Sequence, residues 1–236
     1  TLIKTFHIMC YILCIESSTE ICSVALAKQN QLLAIKENSN GNTHAEQLMP
    51  FVDAILSQTG INTSQINAVC ISEGPGSYTG LRIGTSTAKG LCFALNIPLI
   101  AINTLQTMAW GARKLFPDKP LFCPMIDARR MEVYCAIFDN ELKTVVGTQS
   151  KIIEPDTFSD ILNQQTMVFS GNGAEKCKNV LPPHPSIIYA ETKTSAAYMI
   201  DLAYQKYNKQ KFENLAYFEP FYLKEFIPGK PRVKGL

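Results

Sequence analysis

The sequence predicts an α/β fold made of two similar halves with a cleft between them. Short apolar runs typical of strands alternate along the chain with longer segments of helical period. In addition, one unit occurs twice: an apolar strand ends in an acidic residue, and a polar turn and a second strand follow. The two copies lie at residues 14–19, with Glu16, and at residues 125–130, with Asp127. Chance similarity of two short hairpins is the alternative.

The first half is predicted to begin with three strands in a meander, because three apolar runs are separated by turn residues. A helix with apolar side chains on more than one face follows, with Pro50 either in its first turn or at a kink. A strand then leads through a glycine-rich loop into a second helix. The predicted strands are residues 11–16, 21–28, 32–37, 66–72 and 97–102, and the predicted helices are residues 43–58, 81–95 and 105–116.

The second half begins after residues 116–120, where two prolines and two charges predict a hinge or domain boundary. We therefore expect one domain at residues 1–110 and a smaller one at residues 111–236. Beyond the boundary the plan of strand, turn and strand is partly repeated. The predicted strands are residues 121–127, 132–139, 144–153 and 167–171, and the predicted helices are residues 156–163 and 195–208, with a glycine turn at residues 171–173.

The composition excludes several classes of protein. Hydrophobic residues make up 46% and charged residues 18%, which excludes global disorder. The eight cysteines are scattered through apolar runs without a C-x-x-C motif, which predicts buried free thiols and neither a disulfide framework nor a structural zinc site. No apolar stretch is long enough for a membrane span. The net charge of +2 is small for a protein that binds nucleic acid without a partner.

The two ends of the chain fall outside the α/β plan. The N-terminus has the outline of a signal peptide but lacks a cleavage site of small residues, so we interpret it as a buried strand preceded by an extension. Met9 is an alternative start, which would leave residues 1–8 as upstream sequence. The C-terminal tail from Lys224 is basic, and it either contacts an RNA backbone or is a solvated tail.

The glycine-rich loop at residues 74–80 has two interpretations. Its backbone N–H groups could receive an anion, or it is a tight turn with Thr79 as the helix N-cap. ATP cleavage needs acidic metal ligands together with a phosphate cradle, and Glu16 and Asp127 meet half of that requirement. Arg129 and Arg130 either meet a phosphate or are solvated. The residues of a possible degenerate nucleotide cleft are Glu16, Ser18, Gly76, Asp127, Gly171 and Gly173.

The first two predicted helices have more apolar surface than one core contact requires. Small residues recur every four positions in the second helix, which draws a ridge that another backbone can approach closely. Such surplus predicts a docking site for another subunit, and packing on the protein's own sheet is the alternative. The candidate partner-binding residues are Leu48, Met49, Val52, Leu56, Gly80, Gly84, Ala88 and Cys92.

Neither a metal site nor a hydrolase triad is predicted. His44 is the only histidine in a cluster with an acid, and Gln47 and Leu48 occupy the positions where a two-His metal motif needs its second histidine. His44 is therefore predicted to be a capping or surface residue. Ser17, Ser18 and Ser77 lack the G-x-S-x-G context of a serine nucleophile.

Three segments together resemble the bacterial TsaB (YeaZ) family: residues 12–27, 72–109 and 126–138. The resemblance covers most of residues 9–139, and the run from Glu73 to Leu95 is its most specific part. It implies an actin/sugar-kinase-like fold of two RNase H-type domains, with mixed sheets flanked by helices. It also implies a cytoplasmic protein and an inactive relative of the M22 peptidases.

The resemblance further implies a role in tRNA modification. The family works with its paralogue TsaD and the ATPase TsaE to place threonylcarbamoyl on adenosine 37, beside the anticodon, of tRNAs that read codons beginning with A. This chain would be a non-catalytic subunit whose first two helices pair with those of TsaD, or with a second copy when alone. It would contact tRNA only through the complex, with ATP or ADP bound only in the assembled complex and no cofactor otherwise.

Some residues depart from the family pattern. TsaD holds its metal on a two-His motif, and the corresponding residues 43–48 lack the second histidine. Glu16 stands where Asp is usual, and Tyr78 stands where Phe is common. The alternative function is an independent ATP-binding phosphotransferase or ATPase of the actin/sugar-kinase superfamily.

Overall fold

The structure is a computed structural model, and it describes residues 9–39, 41 and 44–224. The predictions for residues 1–8 and for the basic tail beyond Lys224 lie outside the described residues. The strands are β1 (Tyr11–Glu16), β2 (Cys22–Lys28), β3 (Gln31–Asn38), β4 (Ile66–Gly74), β5 (Leu99–Asn103), β6 (Leu121–Asp127), β7 (Glu132–Asp139), β8 (Thr144–Ile152), β9 (Met167–Ser170) and β10 (Ile187–Ala190). The helices are α1 (His44–Thr59), α2 (Tyr78–Leu95), α3 (Thr104–Leu115), α4 (Ser159–Leu162), α5 (Asn172–Cys177) and α6 (Ile200–Asn208), with 3-10 turns at Thr63–Gln65 and Ala196–Met199.

The strands form two five-stranded sheets of the same design. The first has the order β3-β2-β1-β4-β5 and the second the order β8-β7-β6-β9-β10. In each sheet three antiparallel strands are followed by two strands that run parallel to the first of them. The predicted duplication of a mixed α/β unit is confirmed by this shared topology.

Helices and sheets alternate in five layers. Both faces of the first sheet are apolar, because successive side chains of a strand point to opposite faces. In β1, Leu13 and Ile15 lie in the core under α1 and α2, whereas Ile12 and Cys14 lie in a second core on the other face of the sheet. That second core contains α3 and α6 and extends to the inner face of the second sheet, for example to Phe122. The outer face of the second sheet is covered by α4 and α5. The middle layer therefore joins the two sheets through one continuous core.

Capping residues set the ends of α2. The helix begins at Tyr78, three residues earlier than predicted, because the Ser77 side chain accepts a hydrogen bond from the N–H of Gly80 at 3.3 Å. The N-cap is therefore Ser77, and the prediction of Thr79 was wrong. At the other end Asn96 adopts the left-handed conformation, with φ 52°, and stops the helix.

The second half differs from the prediction in its short elements. The helix predicted at residues 156–163 is the single turn α4, and neither α5 nor β10 was predicted. Two glycines in Gly171-Asn172-Gly173 disfavour a helix locally. Within the described part of the chain, the four residues of β10 pair with β9 alone. Packing and pairing with distant residues stabilise these elements.

After α6 the chain returns to the first sheet. Residues 209–224, which we call the C-terminal strap, pass along β5, where the N–H of Glu213 donates to the carbonyl of Leu99 at 2.9 Å. Further along, the N–H of Phe221 donates to the carbonyl of Glu73 at 2.7 Å. The strap covers the edge of the first sheet, which would otherwise leave unpaired backbone groups.

All eight cysteines are buried and free, as the sequence predicts. Burial raises the pKa of Cys22, Cys92 and Cys177 to about 11, so these thiols stay protonated at neutral pH. Among the residues that the structure covers, no helix has both the length and the apolar content that crossing a bilayer requires.

Candidate functional site

A cleft of about 590 Å³ opens where the β1–β2 turn, the start of α2, the β6–β7 turn and the end of the strap meet. A second cavity of about 400 Å³ adjoins it. Of the six predicted cleft residues, Ser18, Gly76 and Asp127 line the larger cavity and Gly171 lines the smaller one. The other two, Glu16 and Gly173, lie behind the walls.

Glu16 is fully buried beneath the cleft. Its Oε1 accepts hydrogen bonds from the N–H of Ser18 at 2.7 Å and from the hydroxyls of Ser18 and Ser72, whereas Oε2 has no partner among the described residues. Burial raises the pKa of this carboxyl, and the hydrogen bonds from Ser18 only partly oppose the rise. Glu16 is therefore a structural acid that fixes the β1–β2 turn, and it is not exposed to a ligand.

The buried carboxyl makes stability depend on pH. Because the pKa of Glu16 is higher in the folded chain than its ordinary 4.5, the stability it contributes is largest below pH 4.5 and declines as the pH rises above that value. Glutamine keeps the accepting oxygen and cannot ionise. When the pH is raised from 5 to 8, we expect the free energy of unfolding, measured in urea, to fall less for Glu16→Gln than for the wild type. The exposed Glu219→Gln is the control, and equal pH dependence in wild type and Glu16→Gln would contradict this account.

Asp127 is also engaged within the chain. Its Oδ1 accepts a hydrogen bond from the N–H of Arg129 at 2.8 Å and forms an ion pair with Lys176. The same ammonium group donates to the carbonyls of Arg130 at 2.6 Å and Glu132 at 2.7 Å. Asp127 therefore stabilises the β6–β7 turn, and Lys176 neutralises its charge.

The glycine-rich loop packs against the β1–β2 turn. The N–H of Ser77 donates to the carbonyl of Ser18 at 2.6 Å, and a Cβ on Gly76 would lie 2.2 Å from that same oxygen. A Cβ on Gly80 would lie 2.1 Å from the carbonyl oxygen of Ser17. Of the two interpretations of this loop, the geometry supports the tight turn, because glycine is needed for contact with the chain's own backbone.

The small residues of α2 face inward. Gly80, Gly84, Ala88 and Cys92 are buried, and a Cβ on Gly84 would lie 2.0 Å from the hydroxyl of Ser17. Packing on the protein's own sheet, the alternative interpretation, accounts for the burial of this ridge, and the partner contact stays a prediction. Leu48, Val52 and Leu56 of α1 are likewise buried in the core, whereas Met49 is 42% exposed.

His44, predicted to be a capping or surface residue, is the first residue of α1. It is buried, and its Nε2 lies 3.2 Å from the carbonyl oxygen of Ile21. The prediction of a surface position was wrong, because the ring bonds to the backbone next to β2.

Sequence reasoning missed three contributors to the cleft. Lys176 lies in the unpredicted helix α5, and the side-chain Oδ1 of Asn172 accepts the N–H of Asp127 at 2.9 Å. The end of the strap forms one wall, where the ring centroids of Tyr222 and Tyr78 lie 4.9 Å apart. No spacing or motif signals these residues, since each acts through a contact with a distant part of the chain.

Comparison with known proteins identifies the relatives of this fold. Residues 31–235 match the family model described as TsaD: tRNA N6-adenosine threonylcarbamoyltransferase. The tRNA threonylcarbamoyladenosine biosynthesis protein TsaB of Escherichia coli is 31% identical over 227 residues, which cover 93% of this chain and 96% of that protein. TsaB of Haemophilus influenzae is 28% identical over 233 residues, covering 93% and 95%.

The structural comparison agrees. YeaZ from Pseudomonas aeruginosa superimposes with a TM-score of 0.78 at 26% identity, covering 91% of this chain and 100% of that chain. Sequence, topology and fold thus lead to the same group of proteins. The chain belongs to the TsaB family of tRNA threonylcarbamoyladenosine biosynthesis proteins.

Proposed function

We propose that this chain is a non-catalytic subunit that binds and activates a TsaD-type paralogue in the transfer of threonylcarbamoyl to adenosine 37 of tRNA. A TsaE-type ATPase completes the proposed complex, in the cytoplasm. Family membership supports the tRNA modification, and the state of Glu16 and Asp127 supports the non-catalytic role.

The observation that carries the non-catalytic role is the engagement of both acids. Glu16 is buried with a raised pKa, and Asp127 is paired with Lys176. A metal-dependent phosphoryl transfer needs free carboxylates beside a phosphate cradle. The residues present do not fit a magnesium nucleotide, so ATP or ADP belongs to the assembled complex in this proposal.

The proposed partner surface is the outer face of α1 and α2. Met49 is 42% and Phe93 82% exposed there, and a Cβ on Gly90 would have no neighbour within 4 Å. Apolar side chains beside an open glycine allow another helix to pack closely. This face pairs with the same helices of the TsaD-type partner, or with a second copy of the chain when no partner is present. The buried members of the predicted set act indirectly, because they hold the two helices on the sheet.

Reconstitution tests the proposal. Purified chain, TsaD-type paralogue and TsaE-type ATPase from the same source are mixed with tRNA, ATP and an activated threonylcarbamoyl donor, and the modified nucleoside is quantified by mass spectrometry. We expect modification only when all three proteins are present. Modification by the partners alone at the full rate would contradict the activating role.

An independent ATPase is the second candidate, favoured by the size of the cleft and by the position of Asp127 in its lining. We expect the isolated chain to release no phosphate from ATP above a protein-free blank, because neither acid is free to bind magnesium. Asp127→Asn is expected to leave that blank-level rate unchanged. Turnover that disappears in Asp127→Asn would instead establish the second candidate.

A further inference from the structure

Two exposed arginines, Arg129 and Arg130, lie at the tip of the β6–β7 turn, on the rim of the 590 Å³ cleft. Neither guanidinium takes part in an ion pair or side-chain hydrogen bond within residues 9–39, 41 and 44–224. We infer that this pair binds the phosphate groups of a single-stranded RNA segment. The inference rests on the proposed function, which makes tRNA the substrate, and it adds a direct RNA contact on this chain.

The turn is built to hold the two side chains outward. Arg129 and Arg130 have φ values of 69° and 50°, a left-handed conformation that favours glycine over residues with a Cβ. Lys176 supports the turn by donating to Asp127 and to two backbone carbonyls. Arginine in two consecutive strained positions is a local outlier of the kind that concentrates at functional sites.

The neighbouring carboxylates leave the arginine charges available. Asp127 is neutralised by Lys176, and Glu132 is paired with Lys224. The hydrogen bond from Lys224 lowers the pKa of Glu132, so this acid stays ionised and paired. Glu20 is the remaining acid of the lining, and it belongs to the β1–β2 turn, where Asn172 lies 3.4 Å from its Oε2.

Two aromatic side chains also line the cleft. The ring centroids of Tyr78 and Tyr222 lie 4.9 Å apart, and the guanidinium carbon of Arg82 lies 5.4 Å from the Tyr78 ring centroid. Aromatic faces and guanidinium planes stack unpaired bases, and cations beside them bind the backbone. Because the two arginines lie at the exposed rim and the aromatic rings lie in the same lining, the arrangement fits a strand crossing the cleft better than one enclosed nucleotide.

The test uses the full chain and a fluorescein-labelled RNA hairpin of anticodon-arm size, titrated by fluorescence anisotropy at several salt concentrations. The variant is Arg129→Gly with Arg130→Gly, because glycine relaxes both left-handed positions and keeps the turn folded. We expect its dissociation constant to rise about tenfold and the slope of log affinity against log salt to fall by about 1.4, which is about 0.7 per lost phosphate contact on a single strand. The thermal unfolding midpoint is expected to be no lower than that of the wild type.

The matched control is Lys209→Gln with Lys211→Gln, which removes two exposed charges after α6, away from the cleft lining. We expect it to change RNA affinity less than about twofold. Equal weakening by both double variants, absence of RNA binding by the wild type, or complete displacement of the RNA by ATP would overturn the inference. Assembly of the arginine variant with the TsaD-type partner is measured separately, so failure of the RNA contact is distinguished from failure of the proposed function.

Discussion

Gly80→Ala is expected to lower the free energy of unfolding by about 3 kcal/mol, because its new methyl group would overlap a backbone atom. The Cβ would lie 2.1 Å from the carbonyl oxygen of Ser17. That oxygen belongs to the β1–β2 turn, which Glu16 and the glycine-rich loop hold in place, so it has little room to move. Urea unfolding followed by circular dichroism measures the loss.

Gly90→Ala is the matched control in the same helix. Its Cβ would have no neighbour within 4 Å, so only the helix propensity changes. We expect the free energy of unfolding to rise by about 0.5–1 kcal/mol. If Gly80→Ala and Gly90→Ala had similar effects, close packing of α2 on the β1–β2 turn would be wrong.

Gly90→Arg is expected to weaken association with the TsaD-type partner at least about 100-fold, or about 2.7 kcal/mol. The long charged side chain would stand on the outer face of α2, where the proposed partner helix packs. The isolated chain is expected to be as stable as the wild type or slightly more stable, since arginine favours a helix over glycine and the site is open. Isothermal titration calorimetry measures the association, and urea unfolding measures the stability.

The control for an added charge is Gln205→Arg, at an exposed position of α6. We expect this variant to bind the partner with wild-type affinity. Unchanged binding by Gly90→Arg would exclude the outer face of α2 from the interface, and equal losses in both variants would indicate a general charge effect.

The repeated sheet could be predicted from the sequence because its pattern is local. β1 and β6 are apolar runs that end in an acid before a polar turn, and the following strands show the same apolar character. The strand β10 gave no such signal, because four residues become a strand only by pairing with β9. Periodicity thus predicts the long elements, and pairing between distant segments decides the short ones.

The candidate site was predictable in its location and not in its chemistry. The two acids do mark the turns that border the cleft, as the repeated unit indicates. Their environment depends on Ser72 and Lys176, which come from other elements and bond to the two carboxylates. The ridge of small residues likewise reveals that something approaches α2 closely, but the spacing cannot tell a partner from Ser17 of the same chain.

The C-terminal strap has a consequence for how the molecule is made. Glu213 bonds to Leu99, and Phe221 bonds to Glu73, so the strap completes a sheet whose strands all precede it in the chain. Contacts between such distant residues form late, since loop closure costs entropy before the contact is made. On the ribosome, the edge at β5 stays open until the strap emerges. The first sheet can therefore be completed only after the strap has been translated.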